Sequence, residues 1–238
     1  MEELRANKQR AKMAMVLIWI MLLMDVLSFG SGYMQYDLLQ MVDAGGFITP
    51  EEANANDSRE QLVGIVSFLI AIISAITFIL WFRRAYYNLH TKVEGLSFSE
   101  GWAAGSWFVP IVNLYRPYQI MQELYRDTIN LLNDNGLSGE KPLNTKFLGV
   151  WWALWIISRI TGQFLFRYSL RAESIDELTT STMMSMILDM VGIPLALITI
   201  KVIKDYSSVE HLLEHVGNAA SQGEANVSVG DDIDLIDG

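Results

Sequence analysis

The sequence predicts an all-α membrane protein with four transmembrane helices and an interfacial or re-entrant helical hairpin between helices 2 and 3. Hydrophobic residues make up 51% of the chain, and they form long blocks instead of the short periods of a soluble core. Each block has the length of about 20 residues that crosses a hydrocarbon layer of about 30 Å. The predicted spans are residues 13–34, 62–82, 147–168 and 183–203.

The spans divide the chain into three regions. Residues 1–12 form a basic arm, and residues 13–204 form the transmembrane domain. Residues 205–238 form an acidic tail, whose C-terminal part is predicted to be disordered because it has too few large apolar side chains to build a core. The first block also has the basic arm and apolar run of a secretory signal peptide. We favour an uncleaved span, because the run is long and no A-x-A-like cleavage site follows it.

The distribution of Lys and Arg predicts the orientation. These residues concentrate in the N-terminal arm, in the connection between spans two and three, and just after span four. The other two connections are rich in Asp and Glu, and their only basic residues are Arg59 and Arg171. Because cytoplasmic loops carry the excess of positive charge, both termini are predicted to be cytoplasmic.

The connection between spans two and three contains an aromatic segment, residues 97–134. Its apolar part, residues 101–114, is too short to cross a bilayer and has the length of a re-entrant or interfacial segment. Pro110 interrupts this part, and its Trp and Tyr side chains suit the headgroup region. The residues that follow repeat apolar side chains at helical spacing, which predicts an amphipathic helix on the cytoplasmic surface.

The same connection resembles a known family of proteins. The matching residues are Trp81, Arg84, Asn88, Leu89, Gly101, Trp102, Ala103, Gly105, Trp107, Phe108, Val109, Pro110, Ile111, Asn113, Leu114, Arg116, Pro117, Tyr118, Met121, Glu123 and Leu124. On these residues the chain resembles the domain of unknown function 4328 family, over roughly residues 62–215 with the flanking spans. The resemblance implies a bacterial multi-span protein of the cell inner (plasma) membrane, with no established activity.

Several polar side chains of this block have two interpretations. In the first, the block is structural, since aromatic belts and small residues anchor a helical hairpin. In the second, a set of side chains contacts an anionic lipid headgroup or an acidic partner, because the guanidinium fork matches phosphate. This set comprises Arg84, Asn88, Trp107, Asn113 and Arg116.

Charged side chains also occur inside the predicted spans. Asp25 and Arg159 lie at matching depths of roughly 18 Å from the cytoplasmic side, which predicts an ion pair. Arg167 is predicted to reach Asp189, and Gln163 completes a polar face on span three. These pairs either orient helices within the bundle or mark a path for an ion or a small solute.

Motifs of catalysis are missing from the sequence. It has no Walker loop, no G-x-S-x-G and no dinucleotide fingerprint, and it contains no Cys. Residues 210–215 contain the H-x-x-E-H order of some zinc proteases, which we interpret as an ordinary charged helix face because no third ligand is evident. We therefore predict no enzyme, no cofactor and no metal, and the charge pattern lacks the basic footprint of nucleic-acid binding.

Two functions follow from this reading. The leading prediction is a non-enzymatic scaffold or sensor module that acts through protein or anionic-lipid contacts at the cytoplasmic face. The alternative is a small oligomeric channel or transporter component that uses the intramembrane charges. Gly64, Ser67, Ala71 and Ala75 form a small-residue face on span two, so the predicted partners are the lipid bilayer and a second copy of the chain.

Overall fold

The computed structural model describes residues 4–137 and 143–216, and this part of the chain contains helices and turns but no β-strand. The helices are α1 (Lys8–Asp43), α2 (Pro50–His90), α3 (Trp102–Gly105), α4 (Arg116–Asp134), α5 (Lys146–Ser169) and α6 (Ile175–Val209). Short 3-10 helices cover Val112–Leu114 and Glu210–Glu214. The predicted all-helical fold is confirmed for the described residues. The part of the acidic tail that was predicted to be disordered lies outside them.

Three helices are long and apolar enough to cross a membrane: α1, α2, and α6 with its 3-10 extension. α1 has 36 residues and α2 has 41, so at 1.5 Å per residue they measure about 54 Å and about 62 Å. Both exceed a hydrocarbon core of about 30 Å. Each therefore continues as a helix beyond its apolar block, and the three helices together indicate a membrane-embedded protein by their length and composition.

α5 contains the predicted third span but is not among these three helices. Its 24 residues would measure about 36 Å, which is long enough to cross. Its hydropathy is lowered by Trp151, Trp152 and Trp155, whose indole rings are amphipathic, and by the charge of Arg159. The fourth span therefore stays a prediction.

The chain divides into two compact units. Among the described residues, unit 1 comprises residues 4–11, 79–137, 143–148 and 204–216, and unit 2 comprises Lys12–Phe78 and Gly149–Ile203. The long helices α1, α2 and α6 contribute residues to both units.

Unit 1 has a core that is rich in aromatic side chains. The ring of Tyr206 stands edge-on to Trp81 at 6.2 Å and lies 5.8 Å from the ring of Tyr125. Burial raises the pKa of the Tyr125 hydroxyl well above its ordinary value, so this group is neutral in the core. The fully buried side chains of this core include Trp81, Phe82, Tyr86, Leu89, Ile120, Met121, Leu124, Tyr125 and Tyr206.

Unit 2 presents apolar side chains outward. Phe68, Ile160 and Met190 are each more than half exposed. Exposed apolar faces of this kind suit helices that contact lipid tails. Hydrogen bonds inside unit 2 also join different helices, as in the bond of 3.0 Å from Trp151 Nε1 of α5 to Thr199 Oγ1 of α6.

The segment that was predicted to be interfacial or re-entrant contains the single turn of α3, a tight turn and then α4. The tight turn is a γ-turn, in which the Val112 N–H donates to the Pro110 carbonyl at 2.8 Å. Its central residue, Ile111, has a φ of +67°, which is strained for a β-branched side chain. Phe108 and Ile111 are 73% and 75% exposed, so this turn forms an apolar tip.

Candidate functional site

The amide of Asn88 holds the N-terminal arm in unit 1. Asn88 is 2% exposed, and its Nδ2 donates to the Arg5 carbonyl at 2.9 Å. Its Oδ1 accepts a hydrogen bond of 3.0 Å from the Arg5 N–H. The side chain therefore satisfies both backbone groups of one residue, in the way that a neighbouring β-strand would.

The carboxylate of Glu210 is the second element of this network. It accepts hydrogen bonds from Asn88 Nδ2 at 2.8 Å and from Asn7 Nδ2 at 3.0 Å. Asn7 Nδ2 also lies 3.3 Å from the carbonyl of Trp81. Because Glu210 is 8% exposed, these donors replace the water that its charge would otherwise require. The network joins the arm, the end of α2 and the chain after α6.

Arginine side chains cluster beside this network. The guanidinium carbons of Arg5 and Arg84 lie 4.1 Å and 6.0 Å from the centroid of the same ring, that of Tyr87. Arg10 donates to the carbonyl of Leu80 at 3.1 Å and lies close enough to Arg84 for their charges to repel. We call Arg5, Arg10 and Arg84 the arginine cluster. None of the three forms an ion pair of 4.0 Å or less within the described residues.

A second buried carboxylate supports the connection after α2. The Glu123 carboxylate accepts a hydrogen bond of 2.5 Å from the Tyr86 hydroxyl through Oε2 and one of 2.8 Å from the Ser97 N–H through Oε1. The carbonyl of Phe98 lies 2.9 Å from His90 Nε2. These bonds tie the start of the predicted interfacial segment to α2 and α4, and they leave Glu123 fully engaged.

Three further predicted site residues lie in the interfacial segment. Arg116 is surrounded by aromatic rings, with its guanidinium carbon 4.4 Å from the ring of Phe98, and its buried Nε has no hydrogen-bond partner. Trp107 Nε1 donates to the Ala103 carbonyl at 3.1 Å. Asn113 lies in the 3-10 turn and is half-buried. Arg116 and Trp107 thus serve the packing of this segment through cation–π and capping contacts.

The five side chains that were predicted to contact a lipid headgroup or a partner therefore lie in two separate places. Arg84 and Asn88 lie one helical turn apart on α2, beside the network. No hydrogen bond or ion pair in the described part of the chain joins either residue to Asn113 or Arg116. Sequence reasoning missed Asn7 and Glu210 as site residues. The signal was weak, since one lies in a basic arm and the other in a charged helix turn.

The charges of unit 2 are arranged differently from the prediction. Asp25 is 8% exposed and lies against Gly192 of α6, where a Cβ atom would come within 2.6 Å of Asp25 Oδ2. Asp189 accepts a hydrogen bond from the Ser28 hydroxyl, and its buried Oδ2 has no hydrogen-bond partner. Gln35 Nε2 donates to Thr182 Oγ1 at 3.0 Å. Polar groups of α1 and α6 therefore face each other along a seam.

The predicted ion pairs of Asp25 with Arg159 and of Asp189 with Arg167 are not formed in the described residues. Arg159, Gln163 and Arg167 are all exposed on α5. The prediction matched depths along the helices, whereas contact also requires that the two side chains face each other. Asp25 instead faces α6.

Residues 4–137 and 143–216 contain no group of three or more His, Asp or Glu side chains that is placed to coordinate a metal ion directly. His211 lies in the 3-10 turn Glu210–Glu214, and Glu210 is engaged by the two asparagines.

The described residues thus combine a hydrogen-bonded polar core in unit 1 with a buried, unbonded oxygen of Asp189 in unit 2, in a helical chain with three helices long and apolar enough to cross a membrane. A family model, the domain of unknown function DUF4328, matches residues 44–208. The chain belongs to this family, which confirms the resemblance seen in its central block. No curated protein and no solved structure matches the chain.

Proposed function

We propose that this chain is a non-enzymatic scaffold or sensor of the bacterial inner membrane that binds an anionic lipid headgroup at the cytoplasmic face. In this proposal α5 is a fourth span, both termini are cytoplasmic, and the segment 97–134 lies at the interface. The distribution of Lys and Arg supports that orientation. The exposed apolar tip at Phe108 and Ile111 supports the interfacial placement.

The arginine cluster carries the lipid proposal. Arg5 and Arg84 share the Tyr87 ring, and no carboxylate of the described residues forms an ion pair with either. The nearby Glu100 already pairs with Arg83 at 3.0 Å, and Glu210 is engaged by Asn7 and Asn88. Neighbouring guanidinium groups repel each other, and a phosphate that accepts hydrogen bonds from two of them removes that repulsion.

The Asn88 network gives the arm a role in this proposal. Arg5 is exposed, yet its backbone is held by two hydrogen bonds to Asn88. The network therefore holds Arg5 of the N-terminal arm beside Arg84 before any lipid binds. Preorganisation of this kind reduces the entropy lost on binding.

The test compares lipids with one charge difference. The full chain is purified in detergent and titrated with phosphatidylglycerol or phosphatidylcholine, and the bound lipid is counted by native mass spectrometry. We expect tighter binding of phosphatidylglycerol. Arg84→Gln should weaken that binding at least tenfold, because a charge-assisted hydrogen bond contributes about 1.5–3 kcal/mol. Binding should also weaken with salt.

Arg126→Gln is the matched control. Arg126 is exposed on α4 and pairs with the adjacent Asp127 at 2.7 Å, so its loss should leave lipid binding unchanged. Equal affinity for the two lipids in the unaltered chain, or equal losses in the Arg84 and Arg126 variants, would reject the lipid proposal.

A second candidate function is a small oligomeric channel or transporter component. It is supported by the seam of unit 2, where the buried Asp25 lies near Asp189 and neither has a cationic partner in the described residues. Ionisable groups inside membrane proteins frequently mark the paths of ions and polar solutes. The small-residue face of α2 would allow copies of the chain to pack around such a path.

A further inference from the structure

A polar cavity lies in unit 2 between α1, α2 and α6. Its volume is about 190 Å³, which corresponds to about six water molecules at about 30 Å³ each. Pockets for drug-sized ligands begin at about 300 Å³, so this one suits a small solute. Most of the lining side chains accept hydrogen bonds, and they include Ser28, Gln35, Glu60, Thr182 and Ser185.

Two carboxylates continue the polar lining beyond the cavity. Asp189 lies one helical turn from Ser185 and is bonded to Ser28, both of which line the cavity. One of its oxygens is buried without a partner. Asp25 lies one turn from Ser28, is more than nine-tenths buried and has its Oδ2 beside Gly192 of α6. Unpaired acceptors of this kind are costly inside a membrane protein unless a cation or a donor reaches them.

The balance of charge at this site is negative. Asp189 lies close enough to both Asp25 and Glu60 for their charges to repel. Arg59 is the nearby cation, and it is held by Asn56 Oδ1 at 2.6 Å and by Glu60 Oε1 at 3.4 Å. Arg59 therefore compensates Glu60 in part and leaves the two aspartates uncompensated. Such repulsion is strong where the dielectric constant is low.

We propose that this cavity binds a small monovalent cation whose outer surface donates hydrogen bonds. A primary ammonium and a hydrated alkali ion share this chemistry, because both present a single positive charge surrounded by N–H or O–H donors. Glu60 in the lining, and Asp189 behind the lining residue Ser28, compensate the charge, while Ser28, Thr182 and Ser185 accept the remaining donors. The proposal deepens the second candidate function, on which it rests for the fate of the bound cation, and it is independent of the lipid site.

Gly64 provides a direct way to fill the cavity. It lines the cavity, and a Cβ atom added there would meet no atom within 4 Å. Gly30 has the same open surroundings on α1 but does not line the cavity. Gly64→Val and Gly30→Val therefore introduce the same side chain on a helix without a clash at Cβ, and they differ in whether it occupies the site.

The experiment measures the thermal unfolding midpoint of the full chain in detergent during titration with ethanolammonium chloride or sodium chloride. Tetramethylammonium chloride keeps the ionic strength constant, since this cation has the charge but no donor. We expect a saturable rise in the midpoint with ethanolammonium, sodium or both, in the unaltered chain and in Gly30→Val. The apparent Kd should weaken at least tenfold in Gly64→Val and in Asp189→Asn.

The two titrations distinguish between the cations, because a rise in the unfolding midpoint with only one salt identifies its cation as the ligand. No rise with either salt, or an equal rise in Gly64→Val, would overturn the proposal. If Asp189→Asn does not fold, the two glycine variants still decide the outcome. Flux of the bound cation into vesicles then tests the second candidate function separately. Binding without flux would leave the site in place and reject transport.

Discussion

Removal of the Asn88 amide should release the N-terminal arm from unit 1. In Asn88→Ala the Glu210 carboxylate loses one donor, and the N–H and carbonyl of Arg5 lose their partner. A hydrogen bond to a charged group contributes about 1.5–3 kcal/mol, and a neutral one about 0.5–1.5 kcal/mol. Arg5 is exposed, so water replaces part of the two neutral bonds. The expected loss is about 2–4 kcal/mol.

Amide hydrogen exchange measures this loss where it occurs. The Ala11 N–H bonds to the Asn7 carbonyl at 3.0 Å, so its exchange reports the opening of the arm. Since about 1.36 kcal/mol corresponds to a factor of ten, exchange over residues 4–12 should accelerate between about 30-fold and about 900-fold. Asn88→Asp should accelerate it at least as much, because it removes both donors and places a second carboxylate beside Glu210.

Asn130→Ala supplies the control for the Asn88 variants. Asn130 is exposed on α4, and surface substitutions of this kind change stability by about 0.5 kcal/mol or less. Exchange in the arm should therefore remain close to that of the unaltered chain. If Asn88→Ala and Asn130→Ala exchange at the same rate, the network does not hold the arm and the reasoning from these distances fails.

Two further predictions concern the apolar tip and the topology. Ile111→Gly should raise the free energy of unfolding by about 1 kcal/mol, because relief of about 1–3 kcal/mol of backbone strain exceeds the entropy that glycine loses. Val109→Gly should lower the same quantity, and a melt in which both variants lose stability would contradict the assignment of strain. The chain has no Cys, so single cysteines report topology: an impermeant maleimide should label Ser174→Cys and Ser58→Cys from outside, but not Glu94→Cys. Labelling of the Ser174 variant only after the membrane is opened would mean that α5 does not cross.

The helices could be predicted from the sequence, while their ends could not be read from apolar blocks alone. α2 begins at Pro50, well before its apolar block. The Thr49 hydroxyl accepts a hydrogen bond of 3.2 Å from the Glu52 N–H, and the Glu52 carboxylate accepts one of 2.8 Å from the Thr49 N–H. This is a capping box with proline at the first helical position. The signal was present in the sequence, but hydropathy does not register it.

The polar contacts could not be predicted from sequence patterns, for a different reason. Asn7 and Glu210 are 203 residues apart, and no periodicity relates positions that meet only through folding. For Asp25 and Arg159 the sequence does give a depth, because the rise per residue is constant. It does not give the direction in which a side chain points around its helix. That direction follows from packing, which turns Asp25 toward Gly192.

The buried carboxylates of the two units differ in how far the protein itself satisfies them. Glu210 receives hydrogen bonds from two asparagine amides, and Glu123 receives them from a tyrosine hydroxyl and a backbone N–H. Removal of any one of these donors should destabilise the fold, because a buried charge then lacks one of its hydrogen bonds. One oxygen of Asp189 is buried and receives none from the described residues. No described residue compensates the burial of this oxygen, and this observation supports the cation proposed for the neighbouring cavity. We therefore assign a structural role to the carboxylates of unit 1 and propose a ligand-binding role for Asp189 and Glu60 of unit 2.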